Sequence, residues 1–204
     1  MGGKEYIYIW GAGGFGREVK SMLPFCGFEF LGFIDDDPAR QPVASSAFLK
    51  QEKGIRVAVA IGYSHIRAGM LRQVDANALI FPNLIHTGAF LQDPQTISMG
   101  KGNIICAGAR FTTDISIGDF CLVNLNATIG HDVFLGDFCS LMPGVNISGN
   151  VKLEEQVFIG SGANILQGIT VGKGSIVGAG AVVTENVPEN VVVAGVPAKI
   201  IKNL

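Results

Sequence analysis

Three histidines, His65, His86 and His131, are available to this 204-residue chain for proton transfer near neutral pH. Imidazole, with an ordinary pKa of about 6.5, suits that task. His131 is followed directly by Asp132. A carboxylate beside an imidazole fixes its tautomer and raises its basicity, so the pair has the makings of a general base. On spacing alone, a solvated histidine beside an ordinary turn aspartate is an equal reading. His65 opens a predicted helix, and His86 lies in a Pro-containing approach to the second half of the chain; neither has an evident partner. The four cysteines, Cys26, Cys106, Cys121 and Cys139, lack the paired spacing of a zinc site. Cys121 and Cys139 invite a covalent alternative, a thiolate carrying an acyl group, but an apolar setting raises a thiol pKa and packing is the better reading.

A second set of residues points to a phosphate. The β-rich segment 6–10 runs into Gly11-Ala12-Gly13-Gly14-Phe15-Gly16, a G-x-G-x-x-G turn, and a helix is predicted over 17–23. A strand over 30–34 ends in Asp35-Asp36-Asp37, at about the 20-residue spacing where nucleotide-binding βαβ units carry a ribose-binding acid. A third strand over 57–61 ends in Gly62, and a helix follows over 64–74. Such a turn either cradles a phosphate on backbone N–H groups or only lets strand and helix pack closely; the acids favour the first reading. Gly11, Gly13, Gly14, Phe15, Asp35, Asp36 and Gly62 are therefore the candidate substrate-binding residues. The unit is Rossmann-like α/β and fills only residues 1–80, too short for both halves of a dinucleotide fold, so NAD is disfavoured.

The elements that must position His131 have another period. Stepping by six from Met99 gives Ile105, Phe111, Ile117, Val123, Ile129, Leu135 and so on to Val183, all apolar, with Gly often directly after. No helix of 3.6 residues per turn holds a period of six on one face, whereas a triangular β-coil of three hexads does. Residues 81–204 are thus read as a parallel β-helix, with about five coils over 97–187 and with Ile117, Leu135, Leu153 and Val171 on one inner face. His131 falls on an outward corner. Asn124 takes a corner where glycine often stands, and either tolerates a left-handed backbone there or faces a pocket.

Composition removes other classes. With 15 basic and 17 acidic residues the net charge is −2, which leaves no footprint for nucleic acid or an anionic membrane. No apolar run approaches a membrane span and no signal peptide is evident, so a reduced, cytoplasmic protein is expected.

The hexads, with Ile176-Val-Gly-Ala-Gly-Ala-Val-Val183 and Ala194-Gly-Val-Pro-Ala-Lys-Ile200, resemble the hexapeptide-repeat acyltransferases. Together with GAGGFG, FIDDD and AIG, the whole chain resembles sugar acetyltransferases of the sialic acid O-acetyltransferase and bacillosamine-pathway N-acetyltransferase type. The resemblance implies a left-handed β-helix, acetyl-CoA as co-substrate, no metal, and a homotrimer with active sites between neighbouring prisms. It implies that the chain acetylates a sugar, foremost the amine of a nucleotide-linked amino sugar, with His131 as catalytic base, Asp132 orienting it and Asn124 beside the acceptor. Ser140 stands where relatives often carry a second histidine that contacts acetyl-CoA or the acceptor. Gly149, Ser161, Ala179 and Lys199 are implied CoA contacts. Three alternatives remain: a sialic acid or serine-type O-acetyltransferase, a non-catalytic nucleotide-sugar-binding trimer, and a γ-carbonic-anhydrase-like metalloenzyme. The last needs three histidine ligands, and the coils supply one.

Overall fold

The computed structural model describes residues 5–204. Its N-terminal unit is β1 (Glu5–Trp10), α1 (Gly14–Met22), β2 (Phe28–Ile34), α2 (Ser46–Leu49), β3 (Val57–Val59) and α3 (Ser64–Leu71). The three strands are parallel in the order β2-β1-β3. Helix α1 starts three residues earlier than its apolar pattern predicts, because Gly13 already serves as N-cap. Strand β2 starts two residues earlier than expected and α3 stops three residues sooner, while α2 had no periodic signal.

A triangular prism follows. Its first face carries eight strands from Leu84–Ile85 to the C-terminal hairpin of Val191–Gly195 and Ala198–Asn203; its second carries six, from Phe90–Leu91 to Val182–Val183; its third carries five, from Ile97–Met99 to Thr170–Val171. Except in that hairpin, neighbouring strands are parallel, and between Ile97 and Val183 paired strands lie 18 residues apart. This is a left-handed parallel β-helix. Leu135 pairs with Ile117 and Leu153, and Leu153 with Val171, in one column. All four are at most 4% exposed, each worth about 1.5–3 kcal/mol of transfer free energy. The first coil begins at Leu84, well before the periodic stretch, because Leu91 and Met99 are eight residues apart and a 3₁₀ turn at Pro94–Thr96 absorbs the two extra.

The corners obey a rule of their own. Every sixth residue from Gly102 to Gly180 has φ between 54° and 75°, so this position, three before the inward aliphatic, makes the turn. Glycine is not required there: Asn126, Asp132 and Asn150 occupy it, as short polar side chains tolerate the left-handed region. The glycines directly after the aliphatics have another cause. A Cβ on Gly136 would stand 2.8 Å from the Glu155 nitrogen, so stacking of the next coil demands their absence of side chain.

The two units share their interior. Ile7, Val19, Leu84, Ile104 and Leu122 form one apolar cluster, and Trp10, Ile34, Phe81 and Phe120 belong to another. A polar bolt joins them. Arg67 of α3 is 2% exposed and donates to the carbonyls of Ile61, Phe120, Phe138 and Cys139 and to Ser140 Oγ. Burial lowers its pKa to about 10, so it remains a cation at neutral pH, balanced by carbonyl dipoles.

Candidate active site and nucleotide cleft

His131 sits at the corner between the second and third faces, after the strand Thr128–Ile129. Its carbonyl accepts from Asn150 N–H at 2.7 Å, which locks its backbone to the next coil. Asp132 holds the left-handed position, φ 58°, and brings Oδ2 to 2.7 Å from His131 Nδ1. A carboxylate only accepts, so Nδ1 carries the hydrogen and Nε2 keeps its lone pair. Nε2 points over Gly149, where a Cβ would overlap the ring. Both members of the pair are more than half exposed.

The remaining histidines do other work. His86 stacks on Phe25 at 4.6 Å and its Nδ1 accepts from Gly88 N–H, while His65 is exposed beside Tyr63. Cys121 and Cys139 are buried, each thiol 3.1 Å from a carbonyl oxygen, of Gly136 and Glu154 respectively. Burial drives the Cys139 thiol well above its ordinary pKa and Cys106 up to about 12.

The residues implied to bind CoA divide between two edges of the prism. Gly149 shares the edge of His131, and Lys199 pairs with Glu185, at 3.7 Å, at the far end of that edge. Ser161 and Ala179 stack on the edge between the first and second faces, and Asn124 opens a corner of that same edge. Among the described residues the amides of Gly149, Ser161 and Ala179 donate to no backbone carbonyl, whereas the next amides, of Asn150, Gly162 and Gly180, are paired. Those of Ser161 and Ala179 on one edge, and that of Gly149 on the other, are unspent N–H donors suited to amide oxygens of a ligand. Asn124 is nearly buried, its Oδ1 accepts from Leu125 N–H, and its φ is not left-handed, since Asn126 makes that turn.

Ser140 departs from expectation. It is fully buried on the first face, donates to the Gly62 carbonyl at 2.8 Å and receives from Arg67 and Ser64. Ser140 and Gly62 are thus spent on the junction of the two units, because α3 packs on the coil where Ser140 stands. Neither was distinguishable from a ligand contact by spacing.

The second group converges as expected in part. An open cleft of about 180 Å³ is lined by Trp10, Gly11, Asp35, Asp36, Arg40, Ile61, Met70 and Gln73. Gly11 has φ 111° and donates to Ile34 O. Asp35 accepts from Ala12 N–H at 2.7 Å, from Asp37 N–H and from Arg40 Nη1; burial pushes its carboxyl up, but these bonds outweigh it and hold the pKa below the ordinary value. Asp36 grips Ser46 with both oxygens at 2.8 Å. Gly13 and Gly14 open α1, and Phe15 lies on the other side of the helix in a cleft with Glu18, Phe25 and His86. Sequence reasoning missed Arg40 and Gln73, which carry no motif.

A glycine-turn α/β unit seated on a hexapeptide prism, with an oriented imidazole on one edge, defines a two-part transferase scaffold. The PglD N-terminal domain family matches residues 6–74, and the bacterial transferase hexapeptide family (six repeats) matches residues 150–185. A His-to-Asn variant of perosamine N-acetyltransferase from Caulobacter crescentus, in complex with CoA and GDP-perosamine, is 34% identical over 97% of each chain, with a TM-score of 0.89. The acetyltransferase domain of PglB from Neisseria gonorrhoeae FA1090, in complex with acetyl coenzyme A, is 31% identical over 98% of this chain and 100% of that one, with a TM-score of 0.89. WeeI from Acinetobacter baumannii AYE is 31% identical over 97% and 100%, with a TM-score of 0.86. No curated protein sequence matches. The chain belongs to the hexapeptide-repeat sugar acetyltransferases. No helix among the described residues is long and apolar enough to cross a membrane, and no group of three or more His, Cys, Asp or Glu among them could hold a metal ion.

Proposed function

We propose that this protein transfers the acetyl group of acetyl-CoA to the amine of a nucleotide-linked amino sugar, with His131 as general base. The observation that carries the catalytic assignment is the 2.7 Å bond from His131 Nδ1 to Asp132, which leaves Nε2 a free acceptor over Gly149. The acceptor class is supported by the relative from Caulobacter crescentus, an N-acetyltransferase in complex with CoA and GDP-perosamine that this chain resembles over nearly its whole length.

Transfer is direct. The neutral amine attacks the thioester carbon and forms the C–N bond of a tetrahedral adduct, His131 Nε2 takes the amine proton, and the adduct collapses with cleavage of the C–S bond as the imidazolium returns that proton to the leaving CoA thiolate. Backbone N–H groups steady the developing oxyanion. His131 and Gly149 lie on one edge of the prism, Asn124, Ser161 and Ala179 on another, with the second face between them. They serve one site when the edge of one chain meets the other edge of a second copy, and three copies close the ring; we therefore propose a homotrimer.

The test is incubation with acetyl-CoA and a panel of UDP-, GDP- and dTDP-linked amino sugars and their hydroxyl counterparts, read by mass spectrometry. Gain of one acetyl group that survives hydroxylamine marks an amide and supports the reading. Acetylation of the hydroxyl sugars alone, lost to hydroxylamine as an ester is, overturns the amine assignment.

A further inference from the structure

We infer that Arg40 is the anion-binding residue of the nucleotide cleft, positioned to take the diphosphate of the bound nucleotide sugar; this rests on the nucleotide-sugar reading above. The cleft presents two carboxylates, Asp35 and Asp36, which alone would repel a diphosphate. Asp36 is occupied by the amide and hydroxyl of Ser46, and Asp35 by Ala12, Asp37 and Arg40. Among the described residues lining this cleft, Arg40 is the one cation.

The geometry of Arg40 suits an anion. It ends a 3₁₀ turn, Pro38–Arg40, and the chain then reverses through Gln41 at φ 51°. Its Nη1 lies 3.0 Å from Asp35 and its Nε 3.2 Å from Asp37, so two acids hold the guanidinium at two of its three nitrogens. Nη2 bonds no protein group among the described residues, and the side chain is 44% exposed towards the opening. A Cβ on Gly13 would stand 3.5 Å from Nη1, so the fork hangs over the part of the glycine turn that carries no side chain. A planar fork already fixed by two acids loses little freedom when it donates to phosphate oxygens, and it matches their geometry. Asp35 and Asp37 are then positioning residues for Arg40. Asp35 also ties the Ala12 amide, and so couples the fork to the turn.

The test is calorimetric titration of the full-length protein with uridine, guanosine and thymidine and with the corresponding diphosphates, for the native protein, Arg40→Gln and Arg40→Lys. The native protein should prefer a diphosphate to its nucleoside. Arg40→Gln should shrink that preference by about tenfold or more, the worth of a lost charge-assisted hydrogen bond, with nucleoside affinity little changed. Arg40→Lys should restore part of it. Equal loss of nucleoside and diphosphate affinity in Arg40→Gln, or an unchanged preference, overturns the inference and leaves the nucleotide-sugar reading standing. A native protein that binds none of the diphosphates overturns that reading and the inference together.

Discussion

The imidazole of His131 rests against the Cα of Gly149, one coil further along the prism, so closely that one methyl group on Gly149 would claim the space of Nε2. Gly149 does not have a left-handed φ, so alanine there is conformationally permitted and its effect falls on the ring. Gly149→Ala should leave the fold intact and lower kcat by about 10²-fold, the cost of displacing a catalytic group by an ångström or so. Steady-state kinetics beside a melting curve check this, and an unchanged kcat would show that the ring's seat is not the catalytic one.

Two glycines of the N-terminal turn should respond differently. A Cβ on Gly16 would overlap the Gly11 carbonyl oxygen, so Gly16→Ala should destabilise the protein by about 1–3 kcal/mol, seen as a lower Tm. A Cβ on Gly13 would stand 3.5 Å from Arg40 Nη1, so Gly13→Val should raise the KM of the sugar acceptor and leave that of acetyl-CoA nearly unchanged. Equal effects on both KM values would mark Gly13 as a packing glycine.

Arg67 should prove structural. Arg67→Met removes the donors to four carbonyls at the junction of the two units, two of them in part-buried bonds, and should cost about 3 kcal/mol or more. Scanning calorimetry of the variant reads this directly. A native Tm would mean that water replaces the guanidinium at no cost.

The thiols should be inert in the native state. Burial lifts Cys106 to about 12 and Cys26 to about 11, so the reactive thiolate appears only as pH rises towards those values. Iodoacetamide at neutral pH should leave Cys106 and Cys139 unmodified in the folded protein and label all four cysteines after denaturation. Rapid native labelling of Cys139 would reopen the covalent-carrier route.

The prism was legible because each hexad repeats one physical demand, an aliphatic residue pointing inward, and Ile117, Leu135, Leu153 and Val171 meet it at 18-residue steps. The first coil was not, since the extra two residues between Leu91 and Met99 break the count before it starts. The turn position escaped notice as well, because Asn, Asp, Phe, Gln and Gly all occupy it and only φ unites them. Of the candidate sites, the His131–Asp132 pair was readable as neighbours in sequence. The role of Ser140 was not, for it depends on α3 packing against a coil 76 residues away from Ser64. Arg40 was invisible for a similar reason: a lone arginine acquires meaning only from the acids and the glycine turn that surround it.

The central claim, that His131 removes the acceptor's proton, is tested most directly by kcat of His131→Ala with acetyl-CoA and the best acceptor, measured beside acetyl-CoA binding. Loss of the base should lower kcat by about 10²- to 10⁴-fold while acetyl-CoA still binds, and raising the pH should recover part of the rate with an amine acceptor, because free amine then accumulates. A variant that keeps near-native kcat towards every acceptor tried would contradict the account.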